Sequence, residues 1–290
     1  MQYHVNGEMV PAEAATVSVE DRGFLYGDAG FETCRAYGGD VFEWDAHRRR
    51  LETTCETLGM PDAVPADLHD RIEATLSANA LTDAYVRASV TRGVQSGKLT
   101  PAEDVTPSVV VIVKPLPRGG VGGEDVWDDP AEVRTVETRR SPRAAMPADA
   151  KTHNYLDGIL ARLELRGTDA DECLVRDTEG AVAEGATSNV FFVDDGTIKT
   201  PTLAGPILPG VTRAVVLELA TECGIPVETG TYDVDAVRAA DEAFLTNTTW
   251  EVRPIETVDG VAVGGGPVTD DLVAAFDRRV EACYGDADRE

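Results

Sequence analysis

The 290-residue chain carries 52 acidic and 26 basic residues, a formal net charge of −26, and its pI is near 4.4. Nucleic acid and anionic membranes would repel such a surface, so the composition disfavours both as partners. The acidic residues are spread along the chain, and 42% of residues are apolar, which argues against disorder and an acidic tail. This composition is typical of proteins that work in strong salt, and it predicts a halophilic protein.

The five cysteines are odd in number and widely spaced, and no Cys-x-x-Cys pair indicates zinc. We therefore expect reduced thiols and no bound metal. The N-terminus has neither a basic nor an apolar leader, and no apolar run reaches membrane-spanning length. These features predict a soluble, cytoplasmic protein.

The first half of the chain alternates strands with two helices. Hairpin signals of the Asn-Gly and Gly-Gly type flank a glycine-rich stretch that lacks the pattern of a phosphate loop. Helical spacing and β-branched runs place the other elements. The predicted elements are hairpins at Asn6-Gly7 and Gly38-Gly39-Asp40, helices from Asp45 to Leu58 and from Ala66 to Ala80, and strands from Tyr85 to Thr91 and from Pro107 to Val113.

Proline and glycine are so dense in residues 117–130 that they predict a linker. The linker would separate a small α+β N-terminal domain, 1–116, from a larger C-terminal domain, 131–290. In the second half we predict strands Glu132–Glu137, Glu172–Asp177, Val190–Val193, Pro226–Thr229 and Glu242–Thr246, a hairpin at Asp194-Asp195-Gly196, and helices after Lys151, at Thr212–Cys223, at Val234–Ala239 and after Thr269.

Lys151 stands out among only four lysines, because it alone comes immediately before a long helical pattern. The positive end of a helix dipole disfavours a cation. Such a place suits an amine that must react uncharged with a carbonyl cofactor. Taken alone, an exposed lysine at a helix entrance is the simpler interpretation.

Four other places could carry chemistry. Gly210 and Thr212 open a helix, which makes either an ordinary capped helix or a phosphate cradle. Glu184 lies among small residues before a strand and is either a solvated turn residue or the partner of a protonated heterocyclic nitrogen. The hydroxyl-rich turn from Thr246 to Glu251 satisfies its own backbone or binds an oxyanion. Arg50 is either a surface charge or a bidentate phosphate ligand.

Together these motifs resemble the class IV pyridoxal-phosphate aminotransferases, which include branched-chain and D-amino-acid aminotransferases and aminodeoxychorismate lyase. The resemblance implies an α+β, two-domain fold of type IV, the D-amino-acid aminotransferase-like fold. It covers nearly the whole chain, from Asn6-Gly7 to Pro254. The matching motifs, in order, are Lys151 with Tyr155, Glu184-Gly185 with Ser188-Asn189, Leu208 to Arg213, and Thr248-Thr249.

The resemblance implies pyridoxal 5′-phosphate as cofactor and assigns roles around its ring. Lys151 would form the internal aldimine and later carry the proton between the substrate Cα and the cofactor. Tyr155 would hydrogen-bond the phenolic oxygen, Glu184 would keep the ring nitrogen protonated, and Leu208 would pack on the ring face. The residues that would bind the cofactor phosphate are Arg50, Gly210, Val211, Thr212 and Thr248.

The family also implies a homodimer, in which a loop of the small domain, here Gln95–Leu99, reaches towards the other subunit's site. The motif Tyr85-Val86-Arg87 resembles the strand that binds substrate carboxylates in branched-chain enzymes. Thr33 would narrow the side-chain pocket, because those enzymes usually have glycine there. The expected substrate-binding residues are Phe31, Thr33, Tyr85, Arg87 and Thr249.

We expect an aminotransferase that moves an amino group between a branched-chain or other hydrophobic L-amino acid and 2-oxoglutarate. Phe31-Glu32-Thr33 and Asn247 resemble aminodeoxychorismate lyases, which release pyruvate and 4-aminobenzoate, so that activity is the main alternative. A D-amino-acid aminotransferase ranks lower, because Gly97-Lys98-Leu99 lacks the Arg-x-His pair of those enzymes. A degenerate, non-catalytic member is disfavoured by the retention of Lys151 with its companion motifs.

The net charge yields the first prediction. Repulsion between surface carboxylates is screened within about 3 Å at 1 M salt, so folding and dimerisation should both strengthen from dilute buffer to molar KCl. Thermal unfolding and sedimentation equilibrium at the two salt concentrations measure this. Equal thermal stability in both buffers would show that the chain is not halophilic.

Overall fold

The computed structural model describes residues 1–118, 127 and 129–287. The chain forms two compact units. The N-terminal unit contains Met1–Gly123, Ala150–Asn154 and Ala282–Glu290, and the C-terminal unit contains Glu124–Asp149 and Tyr155–Glu281. Most of the predicted linker lies outside the described residues. No helix in the described ranges is both long and apolar enough to cross a membrane.

The N-terminal unit is built on a six-stranded sheet with the strand order β2-β1-β6-β5-β3-β4. Both predicted hairpins, both helices and both strands are confirmed, with ends that differ by a few residues. The five-residue helix α1 was not predicted; the Asp21 carboxylate caps its start and Gly27, at φ 68°, ends it. The elements are β1 Gln2–Val5, β2 Glu8–Pro11, α1 Arg22–Tyr26, β3 Ala29–Tyr37, β4 Asp40–Val41, α2 Trp44–Thr57, α3 Leu68–Ala78, β5 Ala84–Thr91 and β6 Ser108–Pro115.

The antiparallel pairing of β3 with β5 divides their side chains between two faces. Phe31 lies opposite Ser89 and Thr33 opposite Arg87. Because side chains alternate along a strand, these four share one face. The other face packs against α2 and α3 in a core that includes Cys34, Leu51, Ile72, Val86, Ala88 and Val111.

A short segment from the middle of the chain extends this sheet at β3. Gly30 and Thr152 form an isolated antiparallel bridge. The Phe31 amide donates to the Lys151 carbonyl at 3.0 Å, and the His153 amide donates to the Ala29 carbonyl at 3.0 Å. The alternation therefore places Lys151 and His153 on the same face as Phe31.

The C-terminal unit is built on a nine-stranded mixed sheet, ordered β12-β11-β10-β13-β14-β7-β8-β9 with β15 on β14. The predicted strands and helices are confirmed, whereas β9, β14 and the two-residue β15 were not predicted. The elements are β7 Ala131–Arg139, α4 Leu156–Glu164, β8 Glu172–Arg176, β9 Val182–Gly185, β10 Asn189–Asp194, β11 Thr197–Pro201, α5 Val211–Glu222, β12 Val227–Gly230, α6 Val234–Arg238, β13 Glu242–Asn247, β14 Glu251–Val258, β15 Val261–Ala262 and α7 Pro267–Ala287.

Candidate active site

Lys151 is held in extended backbone rather than at a helix entrance. Its amide donates to the Thr54 hydroxyl at 2.9 Å, and its carbonyl accepts from the Phe31 amide. Helix α4 begins only at Leu156. The helix-dipole argument for Lys151 was therefore wrong, because that effect falls off within the first helical turn. What fixes the lysine is strand pairing.

The Phe31 ring is the centre of a group of side chains in the N-terminal unit. The Lys151 Nζ lies 4.7 Å from its centroid and the Arg87 guanidinium carbon 3.7 Å. The His153 imidazole meets it edge-on, with 5.6 Å between ring centroids. Thr33 lies opposite Arg87 in the sheet. Lys151 and the predicted substrate residues of β3 and β5 thus share one face.

Arg87 is half-buried and forms no ion pair within the described part of the chain. Tyr85, two residues earlier on β5, lies on the same face. A half-buried guanidinium without a carboxylate partner is costly unless a ligand supplies the anion. Arg87 therefore suits a residue that binds a substrate carboxylate.

On the opposite face of β3, Glu32 is fully buried between Arg50 and His47. Arg50 donates to both carboxylate oxygens, at 2.8 and 2.6 Å, and the His47 Nδ1 lies 2.7 Å from one of them. Burial alone would raise the pKa of Glu32, but the Arg50 charge and the bonds from Arg50 and His47 lower it to about 2. The pair fixes the Arg50 guanidinium, the predicted phosphate ligand, through its Nε and one terminal nitrogen.

The possible metal ligands Glu32, Cys34 and His47 lie within 4.8 Å of one another. Both Glu32 oxygens already accept hydrogen bonds from Arg50 or His47. Burial raises the pKa of the Cys34 thiol well above its usual range, so the thiolate a metal requires is disfavoured. This group is a hydrogen-bonded cluster that positions Arg50 rather than a metal-binding arrangement.

In the C-terminal unit, Glu184 lies within strand β9, which excludes the alternative of a solvated turn residue. One carboxylate oxygen pairs with Arg140 at 3.0 Å. The other accepts from the Asn189 side-chain amide at 3.1 Å and from the Leu208 amide at 3.0 Å. These donors favour the ionised carboxylate, which is the form that pairs with a protonated ring nitrogen.

Arg140 is a site residue that the sequence analysis did not identify. It also pairs with Asp157 at 2.9 Å and interacts electrostatically with Tyr155. Burial would lower the pKa of Arg140, but Glu184 and Asp157 raise it. Its only signal in the sequence is the Arg139-Arg140 pair after a strand, which becomes informative only when the buried Glu184 is known to need a countercharge.

The start of helix α5 has the chemistry of an anion cradle. Gly210 is its N-cap, with no side-chain cap and no acidic residue in the first turn. A Cβ at Gly210 would collide with the Asn189 side-chain oxygen, so glycine is required there. The amides of Val211 and Thr212 are therefore available to a phosphate, and the Thr212 hydroxyl has no hydrogen-bond partner among the described residues.

The turn between β13 and β14 is organised by Asn247. Its side-chain oxygen accepts from the Thr249 amide at 2.9 Å, the Trp250 amide at 2.7 Å and the Thr249 hydroxyl at 3.1 Å. Within the described ranges the Thr248 hydroxyl has no such bond. The turn thus leaves one hydroxyl for a ligand, as the predicted phosphate role of Thr248 requires.

These groups match what pyridoxal phosphate needs from a protein: an amine in a fixed position, an ionised carboxylate, and backbone amides at a helix N-terminus that can bind the phosphate. The residues present therefore fit this cofactor, and each of them lies in a unit whose fold explains its position.

Comparison with known proteins identifies the family of the chain. The family model for amino-transferase class IV matches residues 29–258. The chain is 35% identical, over 95% of both chains, to a Methanocaldococcus jannaschii protein with an inferred assignment as branched-chain-amino-acid aminotransferase. A branched-chain aminotransferase from Thermoproteus uzoniensis, solved with norvaline, has a TM-score of 0.89 at 30% identity, covering 98% of this chain and 95% of that one. The branched-chain enzyme from Thermobaculum terrenum, solved in its PLP form, has a TM-score of 0.85 at 29% identity, covering 98% and 94%.

Arg140 yields a prediction about stability. Arg140→Met leaves Glu184 and Asp157 without their countercharge and should lower the free energy of unfolding by about 3 kcal/mol at neutral pH. The deficit should shrink as pH falls, because protonation then neutralises the unpaired acids. Urea unfolding at several pH values measures both effects.

The matched control is Arg143→Met, which removes an exposed pair with Asp149 and should cost less than about 1 kcal/mol. Equal losses for the two variants would show that Arg140 has no special role in holding Glu184.

Proposed function

Because the chain belongs to the class IV aminotransferase family, we propose that it transfers an amino group between a branched-chain or other hydrophobic L-amino acid and 2-oxoglutarate. Pyridoxal 5′-phosphate is its cofactor. The observation that carries the proposal is the shared face on which Lys151 and Arg87 both meet the Phe31 ring. The branched-chain enzymes among the relatives and solved structures support the choice of substrate.

The cofactor, when bound, acts as an electron sink for the bonds at the substrate Cα. Lys151 Nζ would take the proton from the substrate Cα and deliver it to the C4′ atom of the cofactor, and would carry it back in the reverse half-reaction. The Tyr155 hydroxyl binds the phenolic oxygen, and the Glu184 carboxylate holds the proton on the ring nitrogen. Arg140 keeps Glu184 charged and oriented, and Leu208 supplies an apolar surface to the ring.

The phosphate is proposed to be bound by Arg50, by the amides of Val211 and Thr212 after Gly210, and by the hydroxyls of Thr212 and Thr248. Hydrogen bonds to Glu32 already fix the Arg50 guanidinium, so less side-chain entropy is lost when Arg50 binds the phosphate. The first turn of α5 adds its dipole without an acidic residue to oppose it.

Substrate binding is proposed for the face around Phe31. Arg87 binds a carboxylate, while Phe31, Thr33 and Tyr85 shape the space for the side chain. Thr249, whose hydroxyl donates a hydrogen bond to the Asn247 side chain, adds a polar contact to the substrate.

We also propose a homodimer. Helix α4 exposes Leu156, Ile159, Leu160 and Leu163, which stand 66, 54, 46 and 39% exposed. Their spacing puts them on one helix face, and an apolar stripe left bare in so acidic a chain suits a second copy. The loop Gln95–Leu99, in which Leu99 is 77% exposed, would reach the partner's site. A monomer in sedimentation equilibrium in molar KCl would contradict the dimer.

The proposed setting is a cytoplasm of high salt. None of the five cysteines forms a disulfide in the described part of the chain, and burial raises the thiol pKa values of Cys55 and Cys173 to about 12. A reducing compartment suits such thiols. The dispersed acidic residues support the salt requirement.

Lys151→Ala tests the proposed function directly. The variant should lose turnover by several orders of magnitude, because Lys151 is the lysine whose amine lies over the Phe31 ring in the described residues. Borohydride treatment followed by mass spectrometry should find the cofactor attached to residue 151 in the wild type and to no residue in the variant. Lys199→Ala, which removes only an exposed pair with Asp194, is the control.

The substrate class is checked by half-reactions with L-leucine, L-glutamate, D-alanine and aminodeoxychorismate in high salt. Reaction with the two L-amino acids is expected. Release of pyruvate from aminodeoxychorismate without amino transfer would overturn the proposal in favour of a lyase.

Arg87→Ala should reduce kcat/KM for L-glutamate about ten- to a hundredfold relative to that for L-leucine. The reason is the loss of a charge-assisted bond worth roughly 1.5–3 kcal/mol to a carboxylate that only glutamate carries on its side chain. Equal losses for the two substrates would contradict this role.

A further inference from the structure

His153 contacts the Phe31 ring, and the proposed reaction assigns it no task. It follows Lys151 by two residues in extended backbone, so both side chains lie on the same face. Its ring meets the edge of Phe31, and its Nε2 lies 3.2 Å from the Ser89 hydroxyl. Ser89 in turn lies two residues from Arg87 on β5.

The imidazole is uncharged at neutral pH. Burial lowers the pKa of His153, and the Arg87 charge lowers it further, to about 4, against the weaker opposing effect of Asp21. Because Ser89 can donate its hydroxyl proton to Nε2, the neutral ring can keep its own proton on Nδ1. Nδ1 has no hydrogen-bond partner in the part of the chain that the structure describes.

We propose that His153 is a substrate-binding residue which, with Arg87, selects dicarboxylate substrates by donating a hydrogen bond to the side-chain carboxylate that Arg87 binds. The inference rests on the proposed function and names the second substrate of the same site. The ligand class is a five-carbon amino or keto dicarboxylic acid.

The physical reason lies in the two substrates that one site must accept. A second permanent cation beside Arg87 would be costly whenever a hydrophobic side chain occupied the site. A neutral imidazole does not carry that cost. When a carboxylate arrives, its charge favours the protonated imidazole and strengthens the bond. His153 can thus adapt to both substrates, which a lysine or arginine there could not.

A matched pair of variants separates binding from packing. His153→Leu keeps an apolar body against Phe31 and removes the donor, whereas His153→Gln keeps a donor. The ratio of kcat/KM for L-glutamate to that for L-leucine should fall about tenfold in His153→Leu and recover in large part in His153→Gln. If His153 only packs on Phe31, both variants should leave the ratio within about twofold of the wild type. His69→Gln, on helix α3, is the control and should leave the ratio unchanged.

A second readout does not depend on turnover. The chain has four histidines, so the His153 imidazole signal in NMR is identified by its absence in His153→Gln. Titration of the full chain with and without glutarate should show the His153 midpoint rising from about 4 when glutarate is bound. Arg87→Gln should raise the midpoint without glutarate, because a positive charge is removed.

The two readouts distinguish a failure of the His153 inference from a failure of the proposed function. A midpoint that glutarate does not move, together with an unchanged substrate ratio in His153→Leu, would overturn the inference even if leucine and glutamate are both turned over. If neither amino acid is a substrate, the proposed function fails, and the glutarate titration still decides whether His153 and Arg87 bind dicarboxylates.

Discussion

The site depends on the close pairing of one short segment, Ala150–Asn154, with the start of β3. Gly30 makes this possible, because a Cβ there would lie 2.7 Å from the Thr54 methyl group and 3.4 Å from Leu51. Because glycine has no Cβ, helix α2 can approach β3 closely enough for the Thr54 hydroxyl to accept a hydrogen bond from the Lys151 amide. One glycine thus sets both the distance between helix and strand and the position of the reactive amine. A larger residue would displace the helix, the lysine or both.

Strand β3 serves two tasks through the alternation of its side chains. Phe31 and Thr33 face Lys151 and Arg87, while Glu32, between them, faces α2 and pairs with Arg50. Any shift of register by one residue would exchange these faces and leave Glu32 beside the substrate residues. The continuous pairing with β5 and the fully buried Glu32 pair fix this register together.

The elements predicted from the sequence are those with local signals. Asn6-Gly7 forms its hairpin and the apolar spacing of α2 forms its helix, because turn chemistry and periodicity act within a few residues. Strand β14 was missed because Arg253, Pro254 and Glu256 conceal its pattern, and proline is rare inside sheets. The sequence motif singled out Lys151, but the prediction that it lies at a helix entrance was wrong. Its position is set by strand pairing at Gly30, which is distant in the chain. Arg140 was missed because its partner Glu184 lies more than forty residues away in the chain, and the contact of His153 with Ser89 is likewise distant in sequence.

The acidic surface and the shielded Arg–Glu pairs of the candidate site differ in how salt affects them. Salt of molar strength screens exposed charges almost completely but reaches buried pairs much less. The pairs Arg50–Glu32 and Arg140–Glu184 have side chains that are mostly or fully shielded from water. Their geometry should therefore change little between dilute buffer and strong salt. An exposed pair such as Arg143–Asp149 is screened by salt, so it would fix the position of a side chain less firmly than these two shielded pairs do.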